Sequence, residues 1–245
     1  MEPDHGRAVG LTPGPAKDNR PSRFRPLRRL RDALPYRLVR AEGQGVERDD
    51  LEPRWRLLVA FDIVGFGRRN EYLQGHVRNA MYRILKSSAA ESDVQWPQAP
   101  WSEDRGDGVV MVLDFDLAQR VMESFVEYVY ANLRKHNAVS SDLAKISLRM
   151  AVHAGYVARD GYGLTGEAIV HLCRLLDGPT FKESVAAHGS TLGVLASEHI
   201  YDVVVRPGRG LIDPEAFSRL SIVNKELDTH AWLRLLASHP LRMSG

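Results

Sequence analysis

Cysteine is almost absent. The single Cys173 in 245 residues excludes an intrachain disulfide framework and any zinc site built on cysteine, and it suits a reducing compartment. Long apolar runs are missing as well. No stretch approaches the ~20 residues of a transmembrane helix, and the N-terminus has no apolar signal-peptide core. Charge of one sign is not in excess either: the formal net charge of +2 names no partner for the whole chain. The expectation is a cytoplasmic protein with one good core and room for an appendage.

That appendage is the N-terminal stretch. Over residues 1–50, Pro3, Pro13, Pro15, Pro21, Pro26 and Pro35 interrupt any periodicity, and arginines from Arg20 to Arg40 make its second half strongly basic. Such a segment buries too little apolar surface to offset its ordering entropy, so a disordered leader is expected, with a short helix around Leu27–Leu34. A contact with anionic lipid or nucleic acid is the alternative reading of the same arginines. The folded domain is expected over residues 51–236, with a short tail at 237–245.

Two carboxylates dominate this domain. Asp62 stands where the apolar run Val59, Ala60, Phe61, Ile63 and Val64 meets a glycine-bounded turn. Such a run suits a central strand covered on both faces, and a lone buried Asp within it should be neutralised or should meet a cation. Asp107 lies between Gly106 and Gly108 in a hairpin-like turn before the strand Val109–Leu113. Two Asp residues, each at the sharp end of an apolar strand, are what a pair of oxygen-seeking divalent ions requires.

The periodicity predicts a helix from Glu71 to about Ala90 and a second from about Leu117 to His136, capped by Asp114 or Asp116. Between them, Trp96 and Trp101 either stack on a base or anchor a surface loop. A strand follows at Lys145–Val157, with Arg149 and His153 on the face opposite the core, then a helix from an N-cap Thr165 to about Asp177. A strand near Leu192–Ala196, a short helix capped by Ser197 and a final strand pair, Arg219–Val223 and Thr229–Leu235, complete the chain. Lys225 sits in the last turn. This order predicts a layered α+β domain: an antiparallel sheet with helices on one face.

Five segments, FDIVGFG, EDRGDGVVMVL, LRMAVHAGYV, GLTGEAIVHLCRLLD and VNKELDTHAWL, occur in the order and approximate spacing of the catalytic domain of class III nucleotidyl cyclases, which the chain resembles from about Arg54 to Leu235. The resemblance implies a ferredoxin-like split topology, a homodimer, and conversion of a nucleoside triphosphate to a 3′,5′-cyclic nucleotide and pyrophosphate with two Mg²⁺ or Mn²⁺ ions. It assigns the metals to Asp62, Asp107 and the carbonyl of Ile63, the triphosphate to Lys225 and Arg149, and the α-phosphate charge to Arg174. A cation fixed at these points would hold charge as it shifts during transfer. Arg174 could instead be a helix-surface arginine pairing with Asp177, and Arg149, on a strand, could instead pair with a neighbouring carboxylate.

Two departures bear on activity and substrate. Where the family carries a ribose-orienting Asn, this chain has Val170, which has no donor; His171 is adjacent but about 100° round the helix. The base-reading positions hold Glu103 and Gly163. That pair argues against an ordinary adenine site, and Glu103 half-matches the guanylate type. The family also includes stand-alone pyrimidine cyclases of bacterial anti-phage (Pycsar) signalling, whose product a cyclic-nucleotide-responsive effector reads. This chain likewise shows no receptor module. The other hypothesis is a cyclase-like homodimer serving as a nucleotide-binding or protein-interaction module.

Overall fold

A computed structural model describes residues 52–99, 101–160, 162–225 and 227–237. The expected leader over 1–50 and the tail from 238 onward lie outside the described residues. Folding is organised by β1 (Arg54–Ile63), whose alternate side chains enter two separate cores. Leu57, Val59, Phe61 and Ile63 join a cluster with α1 (Glu71–Glu91) and α3 (Val126–Val139). Leu58 and Ala60 join another, with α4 (Glu167–Leu176) and α5 (Pro179–Ala187). That division is why the run is apolar at nearly every position. Asp62 continues the second series and therefore falls on the α4–α5 side.

The other strands are β2 (Ser102–Asp104), β3 (Gly108–Leu113), β4 (Leu148–Asp160), β5 (Gly163–Thr165), β6 (Leu192–Ser197), β7 (Ser218–Asn224) and β8 (Leu227–Leu236). They form an eight-stranded sheet in the order β2-β3-β1-β4-β6-β8-β7, with β5 paired to β4 off that path. The α+β class stands, but two of its expected details do not. The sheet is mixed, because β4 and β6 run parallel, with Arg149 opposite Gly193. Helices α4 and α5 lie between these two strands in the chain, which is the crossover that a parallel pair needs. Helices also cover both faces rather than one, since Val110, Val112, Ala151 and Leu195 give the second face a core of its own.

Helix α1 starts where expected. The Asn70 side chain accepts from the Leu73 N–H at 2.9 Å, and Val77, Ala80, Met81, Ile84 and Leu85 are buried at helical spacing. The next helix is less regular than its pattern. A 3₁₀ turn (Phe115–Leu117), a single turn α2 (Ala118–Arg120) and a π turn (Val121–Phe125) precede α3. The π turn lets Val121, Met122 and Phe125 all reach the core. Asp114 makes no side-chain cap; its carboxylate pairs with Arg56 of β1. Thr165 does not cap the third helix either, because it ends β5 and Gly166 takes the N-cap place.

Helix α5, absent from the expectation, opens on Pro179 and buries only Phe181 and Val185, too few apolar positions to set a period. Ser197 does cap α6 (Glu198–Ile200), accepting from the Ile200 N–H. Trp96 packs edge-on against Tyr82, and Trp101 lies beneath the Arg56 guanidinium, so both tryptophans anchor their loop. Among the described residues no helix is long and apolar enough to cross a membrane.

Candidate active site

At the C-terminal end of β1 the chain closes on itself through a glycine. Gly108 stands opposite Asp62 in the β1–β3 register, and a Cβ there would strike the Phe61 carbonyl. With that approach open, the Ile63 N–H donates to the Asp107 carbonyl at 2.9 Å. Asp62, Ile63 and Asp107 are thereby gathered at one strand end. Asp62 is buried, with 8% exposure, whereas Asp107 is exposed.

The cation that the sequence demands for Asp62 is Arg149. They are cross-strand partners on β1 and β4, and the guanidinium donates through Nε to Oδ1 at 2.9 Å and through Nη2 to Oδ2 at 2.7 Å. Burial pushes the Asp62 carboxyl above its ordinary value; Arg149 pulls the other way, and the Asp107 charge adds to the rise. The backbone bond from Ile63 to Asp107 is what sets the second carboxylate beside the first. The donor set of two carboxylates and a carbonyl fits Mg²⁺ or Mn²⁺, which take oxygen ligands and leave positions for water and phosphate. Among the described residues no three His, Cys, Asp or Glu side chains converge, so this site would draw part of its coordination from a ligand.

Helix α4 carries the next group. Its C-terminal half is tied to the β7–β8 turn by Asn224, whose Nδ2 donates to the Arg174 carbonyl at 2.9 Å. Lys225 follows at once with a left-handed φ of 56° and an exposed side chain. The turn thus brings Lys225 to the end of the helix that bears Arg174. Asp177, the alternative partner for Arg174, holds Lys182 at 2.7 Å.

Val170 is 48% exposed, on the helix face that position 174 shares by the four-residue repeat. His171 turns inward and stacks on His153 of β4, ring centroids 4.3 Å apart. Burial, then His171 and His199, hold His153 down to about 3, and burial with Arg174 lowers His171 too. This pair lines a cleft of about 590 Å³ with Gly155, Tyr156 and Glu167. Four residues of strand separate Arg149 from His153, ~13 Å, so His171 faces a different space from Asp62.

Glu103 and Gly163, distant in sequence, meet. Glu103 Oε1 accepts from the Leu164 N–H at 2.9 Å and Oε2 from Arg105 at 2.7 Å. Gly163 has a φ of 141°, and a Cβ there would lie 2.9 Å from Glu103 Oε1. Both carboxylate oxygens are thus already engaged, and the guanidinium of Arg105 stands at this corner beside Tyr162.

No family model and no curated protein matches the sequence. Solved structures do. The chain is similar to the adenylate/guanylate cyclase/hydrolase of Silicibacter pomeroyi, with a TM-score of 0.55 and 14% identity over 77% of this chain and 99% of that one. It is similar also to a bacterial light-regulated adenylyl cyclase (TM-score 0.53, 12% identity, 77% and 54% covered) and to the guanylyl cyclase Cya2 (0.51, 14%, 79% and 96%). The fold is that of a class III cyclase catalytic domain. On this cyclase fold the five sequence segments fall at the end of β1, on β2–β3, on β4, on β5–α4 and on β7–β8.

Sequence reasoning missed three residues of this region. Arg105 is two positions after Glu103, a spacing that puts both on one side of an extended chain, and that signal was available. Asn224 immediately precedes Lys225, but nothing local says that its amide reaches a helix carbonyl 50 positions away. Lys182 belongs to the unpredicted α5 and lies close enough to Asp62 to act on its carboxyl.

Proposed function

We propose that this chain is a nucleotidyl cyclase, converting a nucleoside triphosphate to its 3′,5′-cyclic nucleotide and pyrophosphate. The observation that carries this reading is the gathering of Asp62, Ile63, Asp107 and Arg149 at one strand end, from positions up to 87 apart, on a cyclase fold. Two Mg²⁺ or Mn²⁺ ions held by Asp62, Asp107 and the Ile63 carbonyl would supply charge neutralisation and a lowered pKa for the attacking 3′-hydroxyl. Lys225 and Arg149 would hold the triphosphate, and Arg174 would face the negative charge that grows at the α-phosphate. The chain acts as a homodimer in this reading, with the carboxylates of one subunit and the base, Arg174 and Lys225 positions of the other forming one site.

The base we propose is a pyrimidine. Support comes from the pair Glu103 and Gly163: Glu103 is held by the Leu164 N–H and Arg105 of its own chain, and Gly163 offers no side chain to read a purine edge. The Arg105 guanidinium at this corner would donate to a base carbonyl, such as O2 of a pyrimidine. The cyclic product would serve as a signal for an effector.

Purified protein with Mn²⁺ and each of ATP, GTP, CTP and UTP, products resolved by mass, tests this. Cyclic CMP or cyclic UMP is the expected product, lost in Asp62→Ala and Asp107→Ala proteins that remain folded. Retention of most activity in either variant would remove the metal assignment, and a purine product would remove the base assignment. A second reading, a nucleotide-binding homodimer without turnover, is favoured by one observation: Val170 presents an apolar, half-exposed surface where a ribose-orienting amide is expected. Binding of all four nucleotides with no cyclic product from any would establish it.

A further inference from the structure

We propose that Arg149 is a built-in counter-cation, so that a divalent ion reaches Asp62 only by displacing the guanidinium. The inference rests on the cyclase reading of Asp62 but concerns how that site is filled. Its basis is the completeness of the ion pair. Both oxygens of Asp62 accept from Arg149, and the two side chains are only 11% and 12% exposed. A buried carboxylate in this sheet therefore has its charge matched before any ion arrives.

Among the described residues no other cation is equally placed. Lys182, the remaining positive side chain acting on Asp62, is held by Asp177 at 2.7 Å. Arg149 is also confined. On its other side stands Gly193 of β6, and the space over that glycine is filled by Val185 and Phe181 of α5. The guanidinium is consequently directed along the sheet toward Asp62 by the absence of room elsewhere.

A divalent ion bonds a carboxylate oxygen at ~2.0–2.1 Å for Mg²⁺. With the guanidinium still bound to both oxygens, two positive centres would lie within a few ångströms in a poorly solvated place. Metal entry is thus an exchange. The released guanidinium becomes free for an anionic ligand, and metal affinity in the absence of that ligand is lower than the oxygen donors alone would give. By linkage, weakening the Arg149 contact must strengthen metal binding to the same degree.

The experiment is a Mn²⁺ titration followed by electron paramagnetic resonance, without nucleotide, on the full-length protein and its Arg149→Met, Arg149→Lys and Asp62→Asn variants. Arg149→Met is expected to bind Mn²⁺ about tenfold more tightly than the wild type. Arg149→Lys, which loses the two-pronged contact but keeps a charge, is expected to fall between, and it carries the test alone if Arg149→Met does not fold. Asp62→Asn should abolish the tight Mn²⁺ site. If Asp62→Asn abolishes binding but the Arg149 variants bind Mn²⁺ no tighter than the wild type, the exchange is overturned and the metal reading survives. Unchanged Mn²⁺ binding in Asp62→Asn overturns both.

Discussion

Val170 and His171 are neighbours in sequence but not in space, and that separates their tests. Val170 is half exposed on the outer face of α4, while His171 stacks on His153 against the sheet. Val170→Asn should therefore place a donor where His171 cannot, raising turnover by on the order of 10-fold or more, with unchanged metal dependence in steady-state kinetics. His171→Ala is expected to reduce thermal stability more than it reduces kcat, and a loss of most turnover in a stable His171→Ala protein would instead give the imidazole a chemical role. His153 makes a separate prediction. Its folded value of about 3 lies below the ordinary 6.5, because burial and the neighbouring His171 and His199 oppose its charge. Between these values the unfolded chain binds the extra proton, so stability present above pH 6.5 falls as the pH drops toward 3. The effect is on the order of a few kcal/mol. Replacing His153 by Phe should flatten the melting temperature between about pH 4.5 and 6.5 relative to the wild type.

At the scale of elements, α4 links the sheet to the last turn, and its two faces do different work. Ala168, Ile169, Leu172 and Leu175 bury against β1 and β4, leaving Val170 partly in solvent and tying the Arg174 carbonyl to Asn224. Leu172→Ala, at a fully buried position, should cost about 2–5 kcal/mol in chemical denaturation. The β4–β5 hairpin is held in a different way, by Glu103 reaching from β2 to the Leu164 N–H. Gly163→Ala would set a methyl against Glu103 and force a positive φ on a residue with a side chain, at a cost of about 1–3 kcal/mol. Its effect on nucleotide preference should exceed that of Leu172→Ala, which destabilises the domain without touching this corner.

At the scale of the molecule, the residues assigned to one reaction lie in three places within a single chain. Asp62, Asp107 and Arg149 share the end of β1, Glu103 and Gly163 meet over the β2 edge, and Arg174 with Lys225 stands at the end of α4. The proposed homodimer is what would unite them. Mixing an inactive Asp62→Ala subunit with an inactive Lys225→Ala subunit should restore one native site per mixed dimer, about half the activity of a native dimer with two sites, measured as cyclic nucleotide formed. No recovery in dimers whose mixing is verified by mass would reject the shared site.

Local pattern was enough to define much of this protein. The strand ending at Asp62, the α1 helix from Glu71, the glycine-flanked Asp107 and the turn carrying Lys225 were all legible, because each rests on a period or a turn within a few residues. Burial of Asp62 was legible too, from the apolar residues on either side. What packed against the second face of the sheet was not. Helix α5 is short, β4 pairs with β6 across two helices, and both depend on contacts between residues tens of positions apart. The same holds for the identity of the cation on Asp62 and for the partners that occupy Glu103. A sequence states that a buried charge must be met, but only the tertiary register, which sets Arg149 across from Asp62 and Leu164 beside Glu103, decides which group meets it.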